Sequence, residues 1–340
     1  MRLRAVVNSA VDPGAVPVPS SDAAAFHAGL PGYRPTPVHE LTALAAELGL
    51  RRVGLKDESD RLGLPAFKVL GASWAVERAL RERPEVRTLV AASAGNHGRA
   101  VAHVAAQRGL FCRVYLPARS LDARRRAIAG EGADVMVVEG SYEEAVAAAA
   151  DAAGRPDTAE IADVGDSAPA RWVIDGYQTL FDEIPSQGSF DLLVVPVGVG
   201  SLAAAAARFA ARAGLAVVGV EPESAACLGA SLAAGRPTAV DTPGTSMAGL
   251  DCAEVSAAAW PSLQRGIHGT LVVSDAEAES AVQELAHAGL AIGHSGAATL
   301  AGLRALATET ACAPLRETVG LGPSSRVLAI ATEGRTDLVS

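Results

Sequence analysis

Short apolar runs rich in Val, Leu and Ile alternate along the chain with longer Ala-rich stretches of helical character. The apolar runs at 52–55, 88–91, 113–116, 135–138, 192–196, 217–221, 270–273 and 327–331 are expected to be strands. The stretches at 66–83, 98–108, 121–130, 142–153, 202–213 and 275–288 are expected to be helices. Strands that are apolar throughout must be buried on both faces, which predicts parallel sheet with helices on either side. The expected fold class is therefore α/β, with two open parallel-sheet domains carrying helices on both faces. No internal repeat and no low-complexity linker interrupts this pattern. The Gly/Pro/Asp-rich stretch 153–169 is the expected place for the chain to cross between domains.

Composition narrows the field. A chain of 340 residues exceeds the usual size of a single core, so two domains are expected. Apolar residues make up 49%, enough for a large core, while aromatics at 4% are too sparse for base-stacking platforms. A formal charge of −9 argues against a nucleic-acid surface, which needs a basic stripe. Cys112, Cys227, Cys252 and Cys312 have neither metal-ligand spacing nor a paired framework, so no metal site is expected. Asp12, Pro13 and Pro17 stand where a signal peptide needs an apolar stretch. Charges such as Arg208 and Arg212 interrupt the Ala-rich runs, so no membrane span is expected. These features predict a soluble cytoplasmic protein.

Positive charge is carried almost wholly by arginine. Of the 29 basic residues only Lys56 and Lys68 are lysines, and they lie in one short segment. Arginine stays charged at any workable pH, whereas a buried lysine amine can lose its proton and act as nucleophile or base. Lys68 opens an apolar helical stretch with no acidic residue at i±3 or i±4. Burial and the helix dipole are both expected to lower its pKa and favour Schiff-base chemistry. Lys56, flanked by Asp57 and Glu58, is expected to remain a charged structural residue.

Two further strand-to-helix junctions carry chemistry. At 192–202 an apolar strand runs into Gly198, Val199, Gly200, Ser201 and Leu202 and then a run of alanines. Glycines let the backbone approach an anion, and the helix start supplies free N–H groups and partial positive charge, so a phosphate is expected here. The same loop, with Ala203, fits a dinucleotide fingerprint, and Glu221 ends the next strand where a ribose-binding acid would stand. The loop alone leaves the choice of phosphate ligand open. The second junction, Ser93-Ala94-Gly95-Asn96-His97-Gly98, exposes consecutive amides suited to a carboxylate, with Asn96 free to donate to a ring hydroxyl or oxyanion. A plain helix cap would also account for it.

Taken in order, the Phe67-Lys68 context, the Ser-x-Gly-Asn turn and the mid-chain glycine loop resemble the fold type II, tryptophan-synthase-β-like enzymes that use pyridoxal phosphate. Within that group the chain most resembles the diaminopropionate ammonia-lyases. The likeness runs through Tyr33-Arg34-Pro35-Thr36-Pro37, Lys56-Asp57-Glu58-Ser59, Gly176-Tyr177, Met247-Ala248-Gly249-Leu250, Ser295-Gly296-Ala297 and Thr332-Glu333-Gly334-x-Thr336-Asp337. The resemblance implies that Lys68 bonds the cofactor and that Phe67, Asn96, Gly198, Val199, Gly200, Ser201, Leu202 and Thr332 bind it. Thr332 would meet the pyridine nitrogen with a neutral hydroxyl, which suits β-elimination. It also implies that Ser93, Ala94, Gly95 and His97 face the substrate and that Asp163 joins Lys68 in catalysis. Residues 1–70 with 175–340 would form a large cofactor-binding domain, and 71–174 a small domain carrying the asparagine turn.

The family's turn carries an acid where this chain has Ala94, so a preference for the L-enantiomer is expected. The implied activity is β-elimination from a small amino acid to a 2-oxo acid and ammonia, by a homodimer with no nucleic-acid or membrane partner. A serine/threonine dehydratase, a C–S lyase or a β-replacement synthase shares the same first half-reaction. The readings from other classes are a nicotinamide dehydrogenase built on Gly198 and Glu221, and an idle relative that only binds a metabolite.

Overall fold

A computed structural model describes residues 4–18 and 21–335; Thr336 and Asp337 of the C-terminal motif lie outside them. Its strands are β1 (Ala5–Val7), β2 (Val38–Glu40), β3 (Arg52–Asp57), β4 (Thr88–Ala92), β5 (Phe111–Pro117), β6 (Asp134–Val138), β7 (Thr158–Glu160), β8 (Leu192–Pro196), β9 (Ala216–Pro222), β10 (Gly269–Val273) and β11 (Arg326–Ala331). They form a seven-stranded sheet ordered β1-β10-β9-β8-β11-β3-β2 and a four-stranded sheet ordered β6-β5-β4-β7. All eight expected strands are present, and the smaller sheet is parallel throughout. The larger sheet departs from the expected parallel order at both edges, where β1 and β2 pair antiparallel. Both are three residues long, too short to register as apolar runs.

The apolar strands do their work by alternation. Leu193 and Val195 of β8 face a core shared with the helices Lys68–Glu82, Ala168–Asp182 and Ser201–Ala213. Leu192 and Val194 point the other way, against the helices Asp275–His287 and His294–Thr308. With side chains alternating between faces, a central strand covered on both sides must be apolar at every position. The first core runs on without a break into the smaller sheet, taking in Leu89, Ala91 and Val114. No helix among the described residues is long and apolar enough to cross a membrane.

Two helices that the sequence pattern did not outline, Ala168–Asp182 and His294–Thr308, are 15 residues each. The first follows the Gly/Pro/Asp-rich crossing and carries Pro169 and Gly176, both of which read locally as breakers. The structure uses them otherwise. Pro169 sits in the first turn, where its missing N–H costs nothing. Gly176 lets the helix cross Lys68–Glu82 closely, since a Cβ there would lie 2.5 Å from the Leu70 carbonyl and 2.8 Å from the Gly71 Cα.

Candidate active site

The candidate site is built where these elements meet. That helix crossing sets one wall. A Cβ on Gly71 would lie 2.5 Å from the Tyr177 ring, so glycine there lets Tyr177 slide beneath the start of the Lys68 helix. The Lys68 Nζ stands 5.5 Å from the centre of the Phe67 ring and 5.8 Å from that of Tyr177. These two rings pack at 4.7 Å. Tyr177 is fully buried, and its hydroxyl makes no hydrogen bond of regular geometry among the described residues. It is nonetheless close enough to the Lys68 amine for each to shift the other's acidity.

The Lys68 amine donates to Asp163 Oδ2 at 2.9 Å. No acid stands at helical spacing from Lys68 in sequence, and this one arrives from 95 residues away; the expected lowering of the Lys68 pKa is reversed. Burial, the largest influence, lowers the Lys68 pKa, but Tyr177 and the Asp163 carboxylate outweigh it and hold the amine above its ordinary value. On the other partner, burial favours the neutral acid, but His97 and the Lys68 ammonium prevail and pull Asp163 down to about 2. The proton therefore rests on Lys68. The Lys68 side chain remains 20% exposed, so the amine is still reachable.

Asp163 ties three segments together. Its backbone carbonyl accepts from the Ser201 hydroxyl at 3.2 Å, and His97 Nδ1 lies 3.8 Å from its carboxylate. His97 Nε2 donates to the Ile161 carbonyl at 2.7 Å. Burial lowers the His97 pKa, against the pull of the Asp163 carboxylate. His97 thus sits behind Asp163, while Ser93 and Ala94 are part-exposed and Gly95 is exposed at the turn. Asn96, expected just ahead of its helix, opens it instead (Asn96–Gln107), and Gly95 caps it without a side-chain bond. Gly98 allows the turn to fold back, since a Cβ there would collide with the Ser93 carbonyl.

The glycine loop completes the cleft. Gly200 has φ +89°, a conformation that favours glycine, and the helix Ser201–Ala213 begins without a side-chain cap. A Cβ on Gly198 would lie 2.8 Å from the Gly249 carbonyl and 3.0 Å from Cys252 Sγ, so the loop is pressed against the Met-Ala-Gly-Leu segment. Gly249 N–H in turn donates to Ser295 Oγ at 3.1 Å. Opposite, the buried Thr332 accepts the Phe67 N–H at its carbonyl, 3.3 Å away. These contacts join Lys68, Asp163, His97 and Ser201 to one another, and Phe67 to Thr332.

Glu221 lies elsewhere. It is fully buried, accepting from Leu228 N at 2.6 Å, Gly229 N at 2.9 Å and Thr270 Oγ1 at 2.8 Å. Burial pushes its pKa up to about 7. A carboxylate spent on the start of the helix Cys227–Ala234 cannot hold a ribose, which removes the support for a dehydrogenase.

The family described as pyridoxal-phosphate dependent enzymes matches residues 30–331. The chain belongs to this family. It is 30% identical to the diaminopropionate ammonia-lyase of Escherichia coli (strain K12), over 92% of this chain and 87% of that protein. It is 31% identical to the biosynthetic L-threonine dehydratase of Pasteurella multocida over 81% of this chain, spanning about half (53%) of that protein. Among solved structures it is similar to Escherichia coli diaminopropionate ammonia lyase in complex with an aminoacrylate–pyridoxal phosphate azomethine reaction intermediate. That match has a TM-score of 0.88 and 29% identity, covering 99% of this chain and 95% of the other.

The residues present fit the family's cofactor. A phosphate suits the uncapped helix start behind Gly198 and Gly200, and an aldehyde carbon suits the reachable Lys68 amine. Sequence reasoning missed three side chains of this cleft. Tyr177 and Glu333 stand inside motifs quoted for the resemblance but had no role there. Tyr142, whose hydroxyl donates to the Ala92 carbonyl at 3.2 Å, begins a helix and carried no local signal.

Proposed function

We propose that this pyridoxal-phosphate enzyme is a β-eliminating ammonia-lyase acting on 2,3-diaminopropionate or a closely similar small amino acid. The observation that carries the reading is the Lys68–Asp163 pair, set beside a phosphate-type glycine loop in a chain similar over nearly its full length to diaminopropionate ammonia-lyases. When bound, the cofactor supplies an electron sink for a carbanion at Cα. Lys68 would hold the cofactor, and its amine, in the neutral form, would be the base for the Cα proton. Asp163, 2.9 Å away, is the charge partner that orients the Lys68 amine. Phe67 and Tyr177 wall the amine, and His97 lies behind Asp163. Gly198, Val199, Gly200, Ser201 and Leu202 bind the phosphate, Asn96 and Thr332 address the ring, and Ser93, Ala94 and Gly95 receive the substrate carboxylate.

The same proposal assigns 1–70 with 175–340 to a large unit and 71–174 to a small one, in a cytoplasmic homodimer without nucleic-acid or membrane partners. The net charge of −9 supports the absence of a nucleic-acid partner. Release of 2-oxo acid and ammonia should be measured with D- and L-2,3-diaminopropionate, L-serine, L-threonine and an S-substituted cysteine. L-2,3-Diaminopropionate is expected to turn over fastest. Faster turnover of L-threonine would assign the chain to the dehydratases instead.

A further inference from the structure

Asn96 and Glu333 reach each other from the two sheets. Asn96 follows β4 of the smaller sheet, and Glu333 follows β11, an interior strand of the larger one. Asn96 Nδ2 donates to Glu333 Oε2 at 2.6 Å. A carboxylate accepts only, so this partner selects one of the two orientations open to the asparagine amide, with its NH₂ group turned toward Glu333. The bond is charge-assisted and belongs to the strong class. Glu333 is itself held in place. Its carbonyl accepts from Gly293 N at 3.0 Å, and its backbone bridges to Ala66, two residues before Lys68.

An amide nitrogen has two hydrogens, and Glu333 takes one. We propose that Glu333 is a positioning residue that locks the Asn96 amide so that its second N–H, and never its carbonyl, faces the ring oxygen of the bound cofactor. This rests on the pyridoxal-phosphate reading of the site. A fixed donor to that oxygen stabilises negative charge there, and so sets the pH at which the cofactor's visible band changes. Glutamine at 333 can donate as well as accept, which frees the Asn96 amide to turn over.

The test is a pH titration of the visible absorption of the holoenzyme in four forms: native, Glu333→Gln, Asn96→Ala and the double variant. Glu333→Gln is expected to move the midpoint up by about one unit, a tenfold change, the scale of one hydrogen bond to a charged group. Asn96→Ala should move it as far, and Glu333→Gln should then add nothing in that background. Glu333→Gln leaves the phosphate loop untouched, so its cofactor affinity should stay within about threefold of the native protein's. An equal shift from Glu333→Gln with and without Asn96 would overturn the proposal, because Glu333 would then act on the ring directly. No shift at all would overturn it too. Should Glu333→Gln fail to fold, Glu333→Ala is read by the same cycle. A native protein with no visible band would instead refute the cofactor reading beneath it.

Discussion

Lys56 and Lys68 are separated by twelve residues, both inside the fold, yet their surroundings make opposite use of the same amine. Lys56 is wholly buried on β3 and spends its Nζ on three acceptors: Glu183 at 2.6 Å, the Thr36 carbonyl at 2.7 Å and Gln187 at 2.9 Å. Arg61 closes the cluster, reaching Glu58 at 2.6 Å and Glu183 at 2.7 Å, so two cations face two carboxylates. Burial lowers the Lys56 pKa against the pull of both acids. That network fastens the Tyr33–Pro37 motif to β3 and to the end of the helix Ala168–Asp182, and Tyr33 also donates to Glu183. Lys68 has a single acid partner, two aromatic walls and an open side. A lysine whose every hydrogen has a fixed acceptor is structural. One with a single partner and free space is available for chemistry.

The largest expected effect separates the two directly. Lys68→Ala should lower turnover by about 10⁴-fold or more, since cofactor attachment and the Cα base are lost together. Steady-state rates on L-2,3-diaminopropionate read this, and residual activity near the native level would move the chemistry elsewhere. Asp163→Asn should cost about 10²-fold in turnover, about 3 kcal/mol, the upper end for losing one charge-assisted hydrogen bond. It also has a pH signature. A carboxyl held at about 2 lends stability that is fully present above its ordinary 3.8 and lost as pH falls through about 2. Acid unfolding followed by circular dichroism should lose that component in Asp163→Asn and keep it in the native protein.

Gly200→Asp should weaken cofactor binding by about 10²-fold, because it places a negative charge at the expected phosphate position. The left-handed φ of +89° and a contact of 2.6 Å from the new Cβ to Leu263 add a smaller fold penalty, so affinity must be read by dialysis against thermal stability. Unchanged retention of the cofactor would place its phosphate away from this loop. Lys56→Met marks the other side of the comparison. It should destabilise the protein by about 1.5–3 kcal/mol, because Glu183 keeps Arg61 but loses one charge-assisted bond and Gln187 loses a donor, measured by urea unfolding. Turnover per folded molecule should stay within about threefold, and a loss as deep as that of Lys68→Ala would end the distinction.

How much of this was legible depended on range along the chain. The eight expected strands and the glycine loop announce themselves by a local pattern, a run of Val, Leu and Ile or glycine where φ is positive; β6 shows that run although it lies at an edge and is largely exposed. The same rule hid the edge strands β1, β2 and β7, whose three residues are too few to show a period. It also hid the environment of Lys68. Its sequence neighbours are apolar, and a lowered pKa follows from them alone; the structure brings Asp163 from 95 positions away and reverses the direction. Lys56 was legible as structural from Asp57 and Glu58, but its main partner, Glu183, is 127 positions distant. Tyr177 depends on Gly71 and Gly176 meeting at a helix crossing, which no window of sequence contains.

The measurement closest to the central claim is reduction of the pyridoxal-phosphate-loaded protein with borohydride, followed by peptide mapping of the fixed cofactor. With only two lysines in the chain the result is binary. The account predicts label on the peptide bearing Lys68 and none on that bearing Lys56. Label on Lys56, or native protein that binds pyridoxal phosphate without any reducible link to Lys68, would contradict it.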